Sequence, residues 1–283
     1  MISSDSPAGS GSSPAAARDG IADYQFIRML GAGNHGVYYL AGRPERLGPG
    51  AELVAVKVLS GASSQDTFRR ATRELAAFAA VSSPDLVTLY DAGQQGEELY
   101  YSMEYFPGGS LGDPAQPPED QAVLSAVAGA ARAAHALHEA GITHNDIKPG
   151  NVMLPEEGGG KLADLGLSRV LTPGMTVSGL GSTASVEYLD PAVLRGQAPS
   201  RSSDIFALGA TLHRALAGEG LYGELPGDNA LVAMRRVLSR QPAVSGTIDP
   251  AARDLVSDAI SEDTARRPAT ALELAGRVEA LAA

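Results

Sequence analysis

Short apolar runs separated by turn residues dominate the first third of the chain. "YQFIRMLGAG", "GVYYLAG", "ELVAVKVLS", "LVTLYDAG" and "LYYSMEYF" are rich in aliphatic, β-branched and aromatic residues. Such side chains pack well on a pleated surface, and the residues between the runs accept turn geometry, so each run predicts a strand. Within this region "SSQDTFRRATRELAAFAAVSSP" has a helical period, with Phe68, Leu75 and Phe78 available to one face and Pro84 as a stop. After Phe106 the pattern changes. "PGGSLGDPAQPP" is a breaker-rich connector, and "EDQAVLSAVAGAARAAHALHEAG" then repeats Val123, Val127, Ala130, Ala134 and Leu137 at helical spacing, with Gly141 suited to the residue just past the helix end. "SDIFALGATLHRALAG", "NALVAMRRVLS", "PAARDLVSDAIS" and "TALELAGRVEALAA" predict further helices. There is no internal repeat. The expected class is α+β: a small antiparallel β lobe with one helix over about 21–105, and a larger, mainly helical lobe over about 106–283.

Composition narrows the partners. The 283 residues suffice for two modest lobes with a buried core. A net charge of -11 argues against nucleic acid or an anionic membrane surface as the main partner, since both require a basic face. The chain has no cysteine, which excludes disulfides and thiolate metal sites and makes a reducing cytoplasm the simplest location. No apolar run approaches the ~20 residues that span a bilayer. The opening "MISSDSPAGSGSSPAAARDG" lacks the charged and apolar halves of a signal peptide; its Ser, Gly, Pro and Ala bias predicts a flexible tail over residues 1–20. Lys57, Lys148 and Lys161 are the only lysines in a chain that otherwise uses Arg, so each is a candidate for a task that needs an ammonium.

"GAGNHG" sets Gly31, Gly33 and Gly36 in a GxGxxG array, where backbone amides can approach phosphate oxygens without Cβ obstruction. Alone, such an array is most often a plain glycine-rich turn. A dinucleotide fold requires a helix directly after the glycines, whereas strand-like "VYYLAG" follows here, so the glycines cap a hairpin. "VAVK" puts Lys57 on the next strand; its bland reading is a lysine reaching solvent, its sharper one a point charge on nucleotide phosphates, partnered by Glu74. "THNDIKPGN" then offers Asp146, able to take a proton from an attacking hydroxyl, and Asn151, whose amide oxygen suits Mg2+. "ADLG" adds Asp164 as a second hard oxygen ligand. Taken singly, His144 reads as a core histidine and Asp164 as a turn residue. The ordered set of glycine loop, strand Lys, helix Glu, HxDxKxxN and DxG is improbable by chance.

With these motifs the chain resembles the eukaryotic-type protein kinase domains, and among them the bacterial serine/threonine protein kinases, over about residues 21–283. The resemblance implies a bilobal fold, ATP and Mg2+ as cofactors and protein substrates. It implies that Gly31, Gly33 and Gly36 cover the phosphates, that Lys57 holds them while paired to Glu74, and that Ala55 packs on adenine. Met103 would be the gatekeeper, with the backbone of Glu104 and Phe106 bonding adenine. Asp146 would be the catalytic base, Lys148 would steady the γ-phosphate, Asn151 and Asp164 would hold Mg2+, and Asp204 would brace the catalytic loop. Two alternatives share parts of this pattern: a pseudokinase scaffold that binds without transfer, and a small-molecule kinase of the aminoglycoside or choline type.

Several positions depart from the family pattern. Tyr38 stands where a β-branched residue normally roofs the adenine, and Leu165 replaces a Phe. "RPERLGPG" lengthens the hairpin before Lys57. Ala192 replaces the Glu expected to pair with Arg267, which leaves Asp190, Glu262 or solvent to compensate that cation. Asn145 stands where the family commonly has an Arg that grips a phosphorylated activation loop, and a neutral amide cannot form that ion pair. Activation by loop phosphorylation is therefore expected to be weak or absent. Changing Ser178, Ser182 and Thr183 to Ala one at a time should leave phosphotransfer rates largely intact, and a collapse at any of them in a steady-state assay would restore the switch.

Overall fold

Strands β1 (Gly20–Ile21), β2 (Tyr24–Gly33), β3 (Gly36–Gly42) and β4 (Leu53–Leu59) precede helix α1 (Gln65–Ala79), and β5 (Leu89–Gln95) and β6 (Glu98–Glu104) follow it. These six strands form one antiparallel sheet in the order β1-β2-β3-β4-β6-β5. The computed structural model describes residues 18–33, 36–59, 65–164, 183–227 and 229–282. The expected tail lies almost wholly outside the described residues, as do Leu165, Ser178 and Ser182.

The five predicted strands all form, with ends shifted by a few residues. Alternation drives them: Val54, Val56 and Val58 fill one side of the sheet with Ile21, Tyr24, Ala41 and Tyr100, while Ala55 and Leu59 join the main core on the other. Gly36 is required where β3 meets β4. Its φ is +147°, and a Cβ there would collide with the Val58 carbonyl oxygen. Helix α1 buries Ala71, Leu75 and Phe78, at the spacing of one helical face. The side chain of Phe68 lies outside the described residues. The long hairpin before β4 contains a short 3-10 turn, Glu45–Leu47, whose Arg46 bonds Asp23 at 2.7 Å and Asp91 at 2.6 Å and so ties the insertion to the sheet.

Beyond Phe106, β7 (Gly109–Ser110), β8 (Asp113–Pro114), β9 (Val152–Met153) and β10 (Lys161–Leu162) make a small second sheet against α2 (Asp120–Glu139). Helix α2 is buried on almost every side, with Val123, Val127, Ala130, Ala134 and Leu137 at 2% exposure or less. Its many alanines allow close approach. A Cβ at Gly129 or Gly160 would strike the facing backbone, so the turn before β10 lies directly on the helix. Helices α3 (Thr183–Val186), α4 (Pro191–Leu194), α5 (Arg201–Ala217), α6 (Ala230–Ser239), α7 (Pro250–Ala259) and α8 (Ala271–Ala282) complete the helical lobe. Among the described residues no helix is long and apolar enough to cross a membrane. The lobes are joined at Asp85–Val87, where Leu162 N–H donates to Asp85 O at 2.8 Å and Val87 N–H to Leu162 O at 3.1 Å, and Arg132 of α2 grips the Asp85 carboxylate with both nitrogens at 2.8 and 2.9 Å.

The cation left without its usual partner by Ala192 is satisfied by Asp190. Arg267 donates to Asp190 Oδ2 at 2.5 Å and to the carbonyls of Ser202 and Ser261, and Asp190 also caps α4 through Ala192 N–H. Both charged groups are buried. Removing one member of such a pair leaves an uncompensated buried charge, which costs about 3–5 kcal/mol. Asp190→Ala should therefore lower the unfolding free energy by that amount, as read in an equilibrium urea titration.

Candidate active site

Residues directly opposite one another on neighbouring strands send their side chains to the same face of a sheet. Tyr38 on β3 is opposite Lys57 on β4, and Lys57 is opposite Tyr101 on β6. One row across three strands thus carries phenol, ammonium and phenol. All three meet Asp164, just past β10. Lys57 Nζ donates to its two oxygens at 2.7 and 2.5 Å, the Tyr38 hydroxyl donates to Oδ2 at 2.5 Å, and the Tyr101 hydroxyl donates to Oδ1. Burial alone would push the Asp164 carboxyl up; the Lys57 ammonium and the two phenols outweigh it and hold the group at about 2. Burial, then the Asp164 charge, pushes both phenols well above their ordinary value, so they remain protonated donors.

This arrangement corrects one expectation. Lys57 is paired to Asp164 and not to Glu74, which lies exposed beside the buried stripe of α1 with no partner among the described residues. The physical reason is satisfaction: a buried ammonium already engaged by both oxygens of a nearer carboxylate gains little from a second, solvated one.

The loop carrying Asp146 is built on Asp204. A reciprocal Ser200–Ser203 capping box starts α5 and sets Asp204 in its first turn, 1% exposed. Asp204 Oδ2 accepts from His144 N–H and His138 Nε2–H, both at 2.8 Å, and Oδ1 accepts from Asn145 N–H at 2.9 Å. Asn145 takes φ +66°, a left-handed conformation that Asn tolerates better than most side chains. Its amide donates back to Thr143 O and Oγ1 at 3.1 and 3.0 Å, so it shapes the loop, with no hydrogen bond to the Asp146 carboxylate among the described residues.

Asp146 is held from two sides. Lys148 Nζ donates to its oxygens at 3.0 and 2.8 Å and to Ser185 Oγ at 3.0 Å. The 3-10 turn Pro149–Asn151 folds Asn151 back, and its Nδ2 donates to Asp146 O at 2.7 Å and Oδ2 at 3.1 Å. With the nitrogen spent, the amide oxygen of Asn151 is the atom offered to a cation. His144 is wholly buried; Nε2–H donates to Ala163 O at 3.0 Å while Nδ1 accepts from Asp146 N–H at 3.4 Å, which ties this loop to the segment bearing Asp164.

These groups share a cleft of about 440 Å³. Gly31, Gly36, Tyr38, Ala55 and Lys57 form its roof; Met103, Glu104 and Phe106 line the connection between lobes; Asp146, Lys148, Asn151 and Asp164 form its floor. Gly33 is paired with Gly36 at the tip of the β2–β3 hairpin. Asn34 and His35 lie outside the described residues. The sequence reading missed the role of Lys161, which grips the Glu104 carboxylate with both contacts at 2.9 Å and fixes the connecting strand. Its rarity as one of three lysines was the available signal. The convergence of the two phenols had no signal beyond the departure at Tyr38.

A two-lobed fold with an inter-lobe cleft, a strand lysine and an HxDxKxxN loop defines a phosphotransferase class. The chain belongs to the protein kinase domain family, whose model matches residues 24–276. It is similar to serine/threonine-protein kinase PknJ of Mycobacterium tuberculosis, 33% identical over 266 residues that cover 90% of this chain and 44% of that protein. It is also similar to serine/threonine-protein kinase PrkC of Bacillus subtilis, 30% identical over 266 residues, 91% of this chain and 39% of that one. Serine/threonine-protein kinase PknL of M. tuberculosis is 32% identical over 241 residues, 81% and 59%. The chain spans less than half the length of the first two.

Burial pushes the His144 imidazole down from its ordinary value, and His213 likewise. The unfolded chain then binds more protons than the native one below the ordinary imidazole value of about 6.5, so stability falls as pH drops through that value. The thermal midpoint should decline between about pH 7.5 and about pH 5.5. His144→Gln should flatten part of that decline, which differential scanning calorimetry across the range will read.

Proposed function

We propose that the chain transfers the γ-phosphoryl group of ATP, with Mg2+, to serine and threonine hydroxyls of proteins in the cytoplasm, with no nucleic acid as partner and no membrane span in this chain. The observation that carries this reading is that the Asp146–Lys148–Asn151 cluster and the Lys57–Asp164 pair line one cleft. The cleft volume falls in the range of small-molecule sites. The donor set also fits. Among the described residues no cluster of three or more acidic or histidine side chains is arranged to hold a metal, while Asn151 and Asp164 offer two hard oxygens. Mg2+ is commonly bound by so few protein ligands when phosphates supply the rest.

ATP would supply the phosphoryl group and Mg2+ would neutralise the charge developing on it. In this reading the backbone of Gly31, Gly33 and Gly36 covers the phosphates and Lys57 pairs with their charge. Ala55 and Met103 enclose the base, whose polar edge meets the main chain of Glu104 and Phe106. Asp146 orients the acceptor hydroxyl and takes its proton as the oxygen bonds to phosphorus and the bond to the ADP oxygen breaks. Lys148, already bridging Asp146 and Ser185, steadies the transferring group.

Purified protein with labelled ATP, Mg2+ and a generic protein acceptor tests the assignment. Label should reach serine and threonine in the wild type and fall at least about a thousandfold in Asp146→Asn, whose amide cannot accept the proton. Nucleotide binding without transfer would make the chain a scaffold, and transfer only to a small alcohol would make it a small-molecule kinase.

A further inference from the structure

An ionised carboxylate offers about four lone-pair sites. At Asp164 all four are taken by donors from the β lobe: two contacts from Lys57, one from Tyr38 and one from Tyr101. Lys57 Nζ also sits 4.7 Å from the centre of the Tyr38 ring, so the phenol that caps the carboxylate also covers the ammonium. Tyr38 itself lines the nucleotide cleft. The three donors are held by adjacent strands in one register row, and their common target belongs to the loop after β10. They therefore latch the two lobes together through a single side chain. Glu74, the alternative carboxylate for Lys57, lies on the exposed face of α1.

We infer that Tyr38 and Tyr101 are positioning residues that compete with the metal for Asp164, so that the chain discriminates against metal-bound nucleotide until a phenol lets go. The inference rests on the reading of the cleft as a nucleotide site. Its physical content is an exchange. A cation approaching Asp164 must displace at least one phenol and part of the Lys57 contact, whereas a nucleotide without metal meets only the roof and the connecting strand. The hydroxyls thus penalise the metal-dependent part of binding and leave the rest alone. A purely structural role for the two tyrosines would not divide binding in that way. Nor would simple crowding by the Tyr38 ring, which obstructs both forms of the nucleotide.

Calorimetric titration of the whole chain with ADP, once in excess Mg2+ and once in EDTA, tests this. Tyr38→Phe and Tyr101→Phe keep ring packing and delete one hydroxyl each. Each should tighten binding of ADP in Mg2+ by about ten- to hundredfold more than it changes binding in EDTA, the worth of one hydrogen bond to a charged group. Thermal unfolding of each variant without nucleotide confirms a cooperative fold, and the wild-type ratio of the two affinities is the internal reference. Unchanged or weaker binding in Mg2+ for both variants overturns the competition, as does equal tightening in Mg2+ and in EDTA. A wild type that binds ADP in neither condition overturns the nucleotide reading and this inference with it.

Discussion

The buried carboxylate of Asp204 is the constraint on which the site depends. A charge removed from water must be met by donors, and this one is met by two main-chain N–H groups and a buried imidazole. Hydrogen bonds to a charged group contribute about 1.5–3 kcal/mol each. Satisfying Asp204 therefore dictates the backbone path at His144 and Asn145, including the left-handed conformation of Asn145. That path delivers Asp146 to the cleft floor and lets the next turn bring Asn151 beneath it. The helix that carries Asp204 is itself started by its own serine cap, so the chain of cause runs from a local sequence signal to the geometry of the loop.

Two buried aspartates are thus handled in opposite ways. Asp204 is held chiefly by main chain of its own lobe, which cannot swing away without unfolding. Among the described residues Asp164 is held only by side chains, all from the other lobe, and side chains can exchange partners by rotation. The fixed carboxylate suits a scaffold, and the exchangeable one suits a group that must bind and release a ligand. His144 links the two, bonded on one side to the carbonyl before Asp164 and on the other to the amide of Asp146. The lobes are further coupled by the Arg132–Asp85 and Lys161–Glu104 pairs at either end of the connection.

Much of this was legible locally. Strand and helix positions followed from period-two and helical spacing, because burial of one face imposes that spacing on any sequence. The proximity of Asp146, Lys148 and Asn151 followed from their short separation in a tight turn. The acceptance of Asp190 by Arg267 was one of three stated possibilities; which carboxylate reached the cation depended on how α4 docks beside α5.

By itself the sequence determined the elements, the order of the chemical groups and the family, since these depend on neighbours a few residues apart and on motif spacing. Only the tertiary structure decided that Tyr38, Lys57 and Tyr101 share one register row and that Asp164, far along the chain, receives all three. Pairing across a sheet and docking between lobes are choices among donors and acceptors brought together by folding. The electrostatics of burial then selects the carboxylate that best satisfies the ammonium, here Asp164 over Glu74.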